Sequence, residues 1–125
     1  MRLLLDTHSL LWALNQPGML RSDARKAVES EDNVVYVSMA SLWECAIKVS
    51  IGKLRLPDGF FQALQPAGFE MLTIELQHVE AYSKLPMHHR DPFDRVLVAQ
   101  AMCEQLILVT RDEEICKYDV SVIPA

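Results

Sequence analysis

Short apolar runs alternate along this chain with longer segments in which apolar residues recur every three or four positions. The runs lack the polar alternate positions of a strand with one solvent face, so they predict strands buried on both faces. The segments between them predict helices that cover a sheet, which is the pattern of a parallel α/β fold. The predicted strands are residues 2–5, 34–38, 69–74, 106–110 and 120–123.

Capping residues and helix-breaking residues set the predicted helix boundaries. Asp91 followed by Pro92 is a strong helix start, because Asp accepts backbone N–H bonds and Pro fits the first helical position. Ser22 is predicted to be an N-cap, and Gly52 suits the C-terminal cap of a helix over residues 41–51. The other predicted helices span residues 9–15, 22–29, 57–64, 77–85 and 92–105, with a short one after 112. The apolar stripe predicted to be buried on the 41–51 helix is Leu42, Trp43, Ala46, Ile47 and Ile51.

Length and composition fit one domain with a single core. The chain has 125 residues, half of them apolar, and no apolar stretch approaches the ~18 residues of a membrane span. Asp6 interrupts the first apolar run too early for a signal peptide, so we expect a cytoplasmic protein. Cys45, Cys103 and Cys116 are widely spaced and odd in number, which excludes a disulfide framework or a zinc knuckle.

The net charge of −5 weighs mildly against a nucleic-acid partner, since phosphate binding requires basic surface. The objection weakens if a metal neutralises several acids, because the distribution of charge then matters more than its sum. The basic residues that stand out are Lys48, Lys53 and Arg55, and then Arg90, Arg95 and Arg111. Each of them is equally well explained as an ordinary solvated charge.

Four acidic residues stand where a parallel sheet would bring them together. Asp6 ends the first strand, Glu44 opens the helix after the second, and Asp112 follows the fourth. Asp94 lies in the first turn of a helix that follows another helix, so the pattern alone does not place it at the same edge. Ligands of such sheets bind beyond the carboxyl ends of the strands. Converging carboxylates repel one another unless a cation neutralises them, and Mg²⁺ or Mn²⁺ prefers oxygen ligands of this kind.

Each acid also has a purely structural explanation. Asp6 could stabilise a helix start through the macrodipole, although a partly buried carboxylate needs a partner. Ser41 and Glu44 have the spacing of a capping box. Asp94 could accept backbone N–H bonds in its own turn, and Asp112 could cap a short helix. The four together are far less readily explained as coincidence than any one alone.

Hydroxyl and imidazole groups lie beside these acids in the sequence. The hydroxyl groups that could orient carboxylates or water near a metal are those of Thr7, Ser38 and Thr110. Cap or turn roles explain all three equally well. The histidines that could contact metal or phosphate are His8, His88 and His89. No HxxxH or HExxH spacing supports a zinc site, so we expect surface or loop histidines.

Four segments carry a family resemblance: LLLDTH at residues 3–8, VSMASLWE at 37–44, HRDPFDR at 89–95 and LVTRD at 108–112. In this order and spacing they resemble PIN-domain proteins, and more narrowly the toxins of VapBC-type toxin–antitoxin pairs. The resemblance implies one PIN domain over residues 1–125, in three α/β/α layers with a five-stranded, mostly parallel sheet. It implies an Mg²⁺- or Mn²⁺-dependent endoribonuclease with Asp6, Glu44, Asp94 and Asp112 in its acidic pocket. It also implies a homodimer and a small antitoxin that blocks the pocket.

In the mechanism predicted from this resemblance, Asp6, Asp94 and Asp112 hold one or two metal ions. Glu44 is a further ligand or orients the attacking water. The metal activates that water for in-line attack on an RNA phosphodiester, which leaves a 5′-phosphate and a 3′-hydroxyl. The predicted phosphate contacts are Arg95 and Arg111.

Two other classes of protein share parts of this pattern. A phospho-receiver domain has a similar length and an acidic Mg²⁺ pocket, but it needs an acidic pair after the first strand. Here a single acid precedes Thr7. A catalytically silent module could keep the fold and act by sequestering a partner. An RNA-cleavage assay with and without a chelator separates that module from an enzyme.

Overall fold

Five strands form a single sheet in the computed structural model, which describes residues 1–125. The strands are β1 (Arg2–Leu5), β2 (Val34–Ser38), β3 (Glu70–Leu72), β4 (Ile107–Thr110) and β5 (Val122–Pro124). The sheet order is β3-β2-β1-β4-β5, and every pairing is parallel. The predicted α/β fold with a five-stranded, mostly parallel sheet is therefore confirmed, and no strand runs against the others.

Helices connect these strands and cover both faces of the sheet. The α-helices are α1 (Thr7–Asn15), α2 (Ser22–Glu29), α3 (Met39–Ser50), α4 (Leu76–Ser83) and α5 (Pro92–Glu104). Two short 3-10 helices cover Pro17–Met19 and Ile115–Lys117. No helix combines the length and the apolar character that crossing a lipid bilayer demands.

The central strand β1 contributes to both hydrophobic cores. Leu3 and Leu5 face the layer that α1 and α2 cover, while Leu4 faces the layer that α4 and α5 cover. None of the three leucines has exposed surface. Successive side chains of a strand point to opposite faces, and both faces are covered here, so β1 needs no polar alternate position. The structure confirms the three-layer α/β/α arrangement.

The first two helices begin differently from the prediction. α1 begins at Thr7 rather than Ser9, because Asp6 caps it: Oδ1 of Asp6 accepts the Ser9 N–H at 2.8 Å. Ser22 is the first residue of α2 and not its cap, and the capping residue Arg21 makes no side-chain bond to the helix.

The third helix also begins earlier than predicted. Ser38 caps α3, and its hydroxyl oxygen accepts the Ala40 N–H at 3.0 Å. The capping box proposed for Ser41 and Glu44 is therefore wrong, because both residues lie inside the helix. Gly52 follows the helix with a φ of 74°, which agrees with its predicted role in the cap.

The buried stripe predicted for α3 is mostly wrong. Leu42 and Cys45 are buried, but Trp43 is 61% exposed and Ile51 is 59% exposed. The buried face of the helix instead includes Glu44. Its rotation is set by polar contacts as well as by apolar burial, and hydrophobic periodicity does not detect polar contacts.

The structure also shortens or moves several predicted elements. The segment predicted as a helix over residues 57–64 forms consecutive turns, although Phe60 and Leu64 are still buried in the core. β3 keeps only the middle of the predicted 69–74 strand, and β5 lies two residues later than predicted at its start. β3 and β5 are the edge strands of the sheet, where pairing on one side alone supports a shorter strand.

Candidate functional site

A cleft of about 400 Å³ opens at the carboxyl edge of the sheet. The strand order reverses between β1 and β4, because β2 and β3 continue on one side of β1 and β5 lies beyond β4 on the other. The carboxyl ends of β1 and β4 therefore flank a crevice, which is where ligands of open α/β sheets bind. The acids that line this cleft are Asp6, Asp91, Asp94 and Asp112.

Asp94 reaches the cleft because of the direction of its helix. Only Gln105 and Leu106 separate α5 from β4. With so short a connection α5 runs antiparallel to β4, so its first turn lies at the carboxyl edge of the sheet. The predicted convergence of Asp94 with Asp6 and Asp112 is therefore found in the structure. The short connection was the signal in the sequence that could have placed Asp94.

The hydroxyl of Thr110 joins two of these acids. It donates a hydrogen bond to Oδ2 of Asp6 at 2.6 Å, and its oxygen accepts the N–H of Asp112 at 3.0 Å. Thr110 is only 1% exposed, so both bonds are shielded from water. Thr110 therefore lies directly behind two cleft carboxylates, and its role in orienting metal ligands stays a prediction.

Glu44 is buried beside the cleft and is not among the residues that line it. The hydroxyl of Thr7 donates to Oε1 of Glu44 at 2.6 Å, and Nζ of Lys48 lies 3.0 Å from Oε2. Thr7 thus orients the Glu44 carboxylate, and the role of this pair beside a metal stays a prediction. The ion pair with Lys48 means that Glu44 already has a positive partner within the protein.

His89 occupies the centre of the acidic cluster. Its Nε2 lies 2.7 Å from Oδ2 of Asp112 and 3.1 Å from Oδ2 of Asp94. His89 is a loop residue, as expected, but its side chain is only 14% exposed and lies beside two acids of the cleft. The signal in the sequence was its position, two residues before the Asp91 cap of a helix that starts at the cleft.

The carboxylates and the imidazole shift one another's pKa values. Burial, together with the negative charges of Asp91 and Asp6, raises the pKa of Asp94 to about 7. Burial opposes the charged ring of His89, but the hydrogen bond to Asp112 and the nearby carboxylates outweigh it and raise the pKa of His89. For Asp112, burial acts upward, but hydrogen bonds from His89 and from the Glu114 N–H outweigh it and lower its pKa.

Two residues predicted at the site have other roles in the structure. Arg95 is 6% exposed, and its Nη1 donates to the carbonyl of Pro86 at 3.0 Å and to the hydroxyl of Tyr118 at 3.1 Å. A buried guanidinium with these partners does not reach a phosphate in the cleft, so the prediction for Arg95 is wrong. Ser38 caps α3 and bonds to no cleft acid, so its predicted role behind the metal ligands is wrong too.

Arg111 does line the cleft. Its guanidinium carbon lies 4.3 Å from the ring centroid of Trp12, and its Nη2 donates to the carbonyl of Met19 at 2.6 Å. Its phosphate contact stays a prediction. His8 lines the same cleft, whereas His88 is exposed and stacks edge-on against Tyr118.

The chemistry of the cluster fits a divalent cation. One potential ligand atom from each of His89, Asp94 and Asp112 lies within 4.8 Å of the others. Hard cations such as Mg²⁺ and Mn²⁺ take carboxylate oxygens as ligands. Burial and the charges of Asp91 and Asp6 raise the pKa of Asp94, and a cation bound beside it would favour its charged form.

The PIN domain family model matches residues 3–121, and this chain belongs to the PIN domain family. PIN domains are generally nucleases. No curated protein matches this chain in sequence.

Solved structures of similar fold cover almost the whole chain. VapBC2 from Rickettsia felis, bound to a DNA fragment from its promoter, has a TM-score of 0.77 at 17% identity, over 98% of this chain and 98% of that chain. DNA-bound VapBC from Salmonella typhimurium has a TM-score of 0.68 at 15% identity, and the match covers 98% of this chain and 97% of that chain. FitAcB from Neisseria gonorrhoeae has a TM-score of 0.65 at 18% identity, and the match covers 98% of this chain and 96% of that chain. Because the sequence identities are this low, the likeness to these structures establishes the fold alone.

Proposed function

We propose that this chain is an Mg²⁺- or Mn²⁺-dependent endoribonuclease and the toxin of a type II toxin–antitoxin pair. The observation that carries the proposal is the convergence of Asp6, Asp94 and Asp112 in one cleft of a PIN domain. Carboxylate clusters of this kind hold the divalent ions that hydrolyse phosphodiesters. We further propose that residues 1–125 act as one domain in the cytoplasm.

Asp6, Asp94 and Asp112 would hold the cation, with Glu44 as a further ligand or as the group that orients the attacking water. The cation supplies positive charge that activates water and stabilises the charge that develops on the phosphate. Glu44 has a defined orientation for either role, because Thr7 and Lys48 each hold one of its oxygens.

The remaining groups position the acids and the RNA. Thr110 holds Asp6 through Oδ2, while the Ser9 N–H holds the other oxygen, so this carboxylate cannot rotate freely. Arg111 provides positive charge on the cleft wall beside Trp12, and we propose that it contacts a phosphate of the RNA.

The proposed protein partners are a small antitoxin and a second copy of this chain. Similar folds occur in VapBC2 of Rickettsia felis and in a toxin–antitoxin complex from Klebsiella pneumoniae, with a TM-score of 0.62 at 16% identity for the second. These likenesses support the antitoxin partner. The homodimer rests on the family resemblance of the sequence and is tested by the mass of the purified protein in solution.

An RNA-cleavage assay with purified protein tests the proposed activity. We expect cleavage with Mg²⁺ or Mn²⁺, no cleavage with a chelator, and fragments that carry a 5′-phosphate and a 3′-hydroxyl. Asp6→Asn removes one charge but keeps the cap oxygen, so we expect a folded protein without activity. Asp58→Asn removes a charge from an exposed turn and serves as the matched control.

Three results would contradict the proposal. Near-full activity of Asp6→Asn would exclude the role of this carboxylate, and cleavage that resists the chelator would exclude the metal. Intact RNA under all conditions, from a protein that still binds the metal, would favour a catalytically silent binding module.

A further inference from the structure

The ring of His89 lies between two of the acids that line the cleft. Its Nε2 lies within hydrogen-bonding distance of Oδ2 of both Asp94 and Asp112. Its other ring nitrogen, Nδ1, accepts the backbone N–H of Asp91 at 3.0 Å. The ring is therefore oriented from both sides, and its position between the two carboxylates is specific.

The bond to Asp91 determines which nitrogen carries hydrogen. Nδ1 accepts a hydrogen bond, so in the neutral ring the single hydrogen lies on Nε2. The charged ring also carries a hydrogen on Nε2. In either form, the Nε2–H donates to Oδ2 of Asp112 at 2.7 Å, and Oδ2 of Asp94 lies 3.1 Å from the same nitrogen.

A cation held by Asp94 and Asp112 would draw on the oxygens of the same two carboxylates. Mg²⁺ binds carboxylate oxygens at about 2.1 Å and requires their lone pairs to point at the ion. In the structure, Oδ2 of Asp112 accepts the Nε2–H of His89, and Oδ2 of Asp94 lies beside the same N–H group, whose hydrogen carries partial positive charge. The N–H group and the cation therefore compete for the same carboxylates, because both bring positive charge to these oxygens.

The backbone of His89 is anchored independently of its ring. Its N–H donates to the hydroxyl of Tyr118 at 2.9 Å, and its carbonyl accepts from Nη1 of Arg95 at 3.4 Å. Tyr118 and Arg95 are both buried. The ring can rotate about its own side-chain bonds while the loop stays in place.

We propose that His89 is a positioning residue that competes with the metal: its Nε2–H holds Oδ2 of Asp112 beside Asp94, and it leaves that oxygen when a divalent cation binds. In the absence of the cation, the Nε2–H of His89 then keeps Asp112 close to Asp94. The inference rests on the proposed metal site, and it assigns the histidine a role as competitor rather than as ligand.

His78 provides an internal reference with the same hydrogen-bond arrangement. Its Nδ1 accepts the Glu75 N–H at 2.9 Å, and its Nε2 lies 2.9 Å from Oε1 of Glu104. It is 1% exposed and does not line the cleft. Its ring signals should therefore not respond to a metal in the cleft.

The first measurement is the ring ¹H–¹⁵N NMR spectrum of the natural protein, labelled on histidine and titrated with Mg²⁺. We expect the Nε2–H signal of His89 to shift or to vanish by exchange with water as the metal binds. The Nε2–H signal of His78 should stay unchanged. A His89 signal that keeps its position while Mg²⁺ binds would overturn the inference.

The second measurement is Mn²⁺ affinity by calorimetry. His89→Ala removes the competing N–H, so we expect binding about tenfold tighter than in the natural protein. His88→Ala, which removes the neighbouring exposed imidazole, should leave the affinity within about twofold. Weaker binding by His89→Ala would make His89 a metal ligand, and unchanged binding would make it irrelevant to the metal; either result overturns the inference.

The two measurements separate this inference from the proposed function. If neither the natural protein nor His89→Ala binds Mn²⁺, the metal site itself is wrong and the inference fails with it. If the natural protein binds Mn²⁺ but the affinity does not rise in the variant, only the inference fails. If His89→Ala does not fold, the NMR titration of the natural protein decides alone.

Discussion

Thr110 donates its hydroxyl hydrogen to Oδ2 of Asp6 over 2.6 Å, although 104 residues separate the two in the chain. The pair joins the end of β1 to the end of β4, the two strands between which the cleft opens. Because the same hydroxyl oxygen accepts the Asp112 N–H, one side chain sets the relative position of two candidate metal ligands.

Replacement of this hydroxyl should weaken both the fold and the metal site. Thr110→Val keeps the shape but leaves Oδ2 of Asp6 and the Asp112 N–H without their partner, so we expect a loss of ~1–3 kcal/mol in the free energy of unfolding. Mn²⁺ affinity should fall about 10–100-fold, as it does when a group that orients a ligand is lost. Urea unfolding and calorimetry measure the two effects. Thr110→Ser keeps the hydroxyl and should retain most of both; a Val variant that matches the natural protein in both would contradict the bridge.

Asp94 should make the metal-free protein less stable as the pH rises. Its pKa is about 7 in the folded protein and 3.8 ordinarily, so the folded state holds this proton more tightly than the unfolded chain does. The stabilisation of the folded state by the proton on Asp94 is fully present below pH ~4 and is lost as the pH rises through ~7. Asp94→Asn removes this dependence, so it should gain stability relative to the natural protein between pH 4 and 8, by at most ~4 kcal/mol. Unfolding in urea and chelator across this range measures it, with Asp58→Asn as the control. Parallel pH profiles for Asp94→Asn and the natural protein would rule out the raised pKa.

Arg95 should matter for stability and not for contact with RNA. Arg95→Lys keeps the charge but loses the planar group that bonds Pro86 and Tyr118 and lies 4.8 Å over the ring of Tyr82. We expect a loss of ~2–3 kcal/mol in the free energy of unfolding. Arg90→Lys, an exposed neighbour, should change it by less than ~0.5 kcal/mol. A stable Arg95→Lys variant with weakened RNA binding would restore the phosphate role that the structure argues against.

Gln105 should become more favourable as glycine. It ends α5 with φ 57° and ψ 49°, the left-handed conformation that costs residues with a Cβ atom ~1–2 kcal/mol. Glycine relieves this cost but has more freedom in the unfolded chain, so Gln105→Gly should gain ~0.5–1 kcal/mol in thermal or urea unfolding. Gln105→Ala keeps the Cβ atom and should show no gain. Equal stability of the Gly and Ala variants would mean that the backbone conformation is not strained.

The sequence predicted the elements whose signals are local. β1 and β2 match the prediction residue for residue, because their apolar runs are bounded by polar residues on both sides. Asp91 and Pro92 correctly predicted the start of α5, because a cap and a first-turn proline act within one turn of the helix and need no distant partner. The edge strands β3 and β5 were misjudged in length, because their ends depend on how far a neighbouring strand extends beside them.

The rotation of α3 was wrong for a different reason. Hydrophobic periodicity would bury Trp43, but the structure buries Glu44 instead and gives it Thr7 and Lys48 as partners. A carboxylate that gains such partners offsets the cost of its burial. No hydrophobicity pattern contains that information, because Thr7 lies on another helix.

By itself, the sequence determined the succession of strands and helices along the chain and the burial of the central strand, since both depend on neighbours within a few residues. Only the tertiary structure decided that Arg95 supports a loop, that Thr110 joins Asp6 to Asp112, and that His89 lies between Asp94 and Asp112. These are contacts between segments far apart in the chain, and hydrogen bonds act only over about 3 Å. Which side chains come that close depends on how the helices pack onto the sheet.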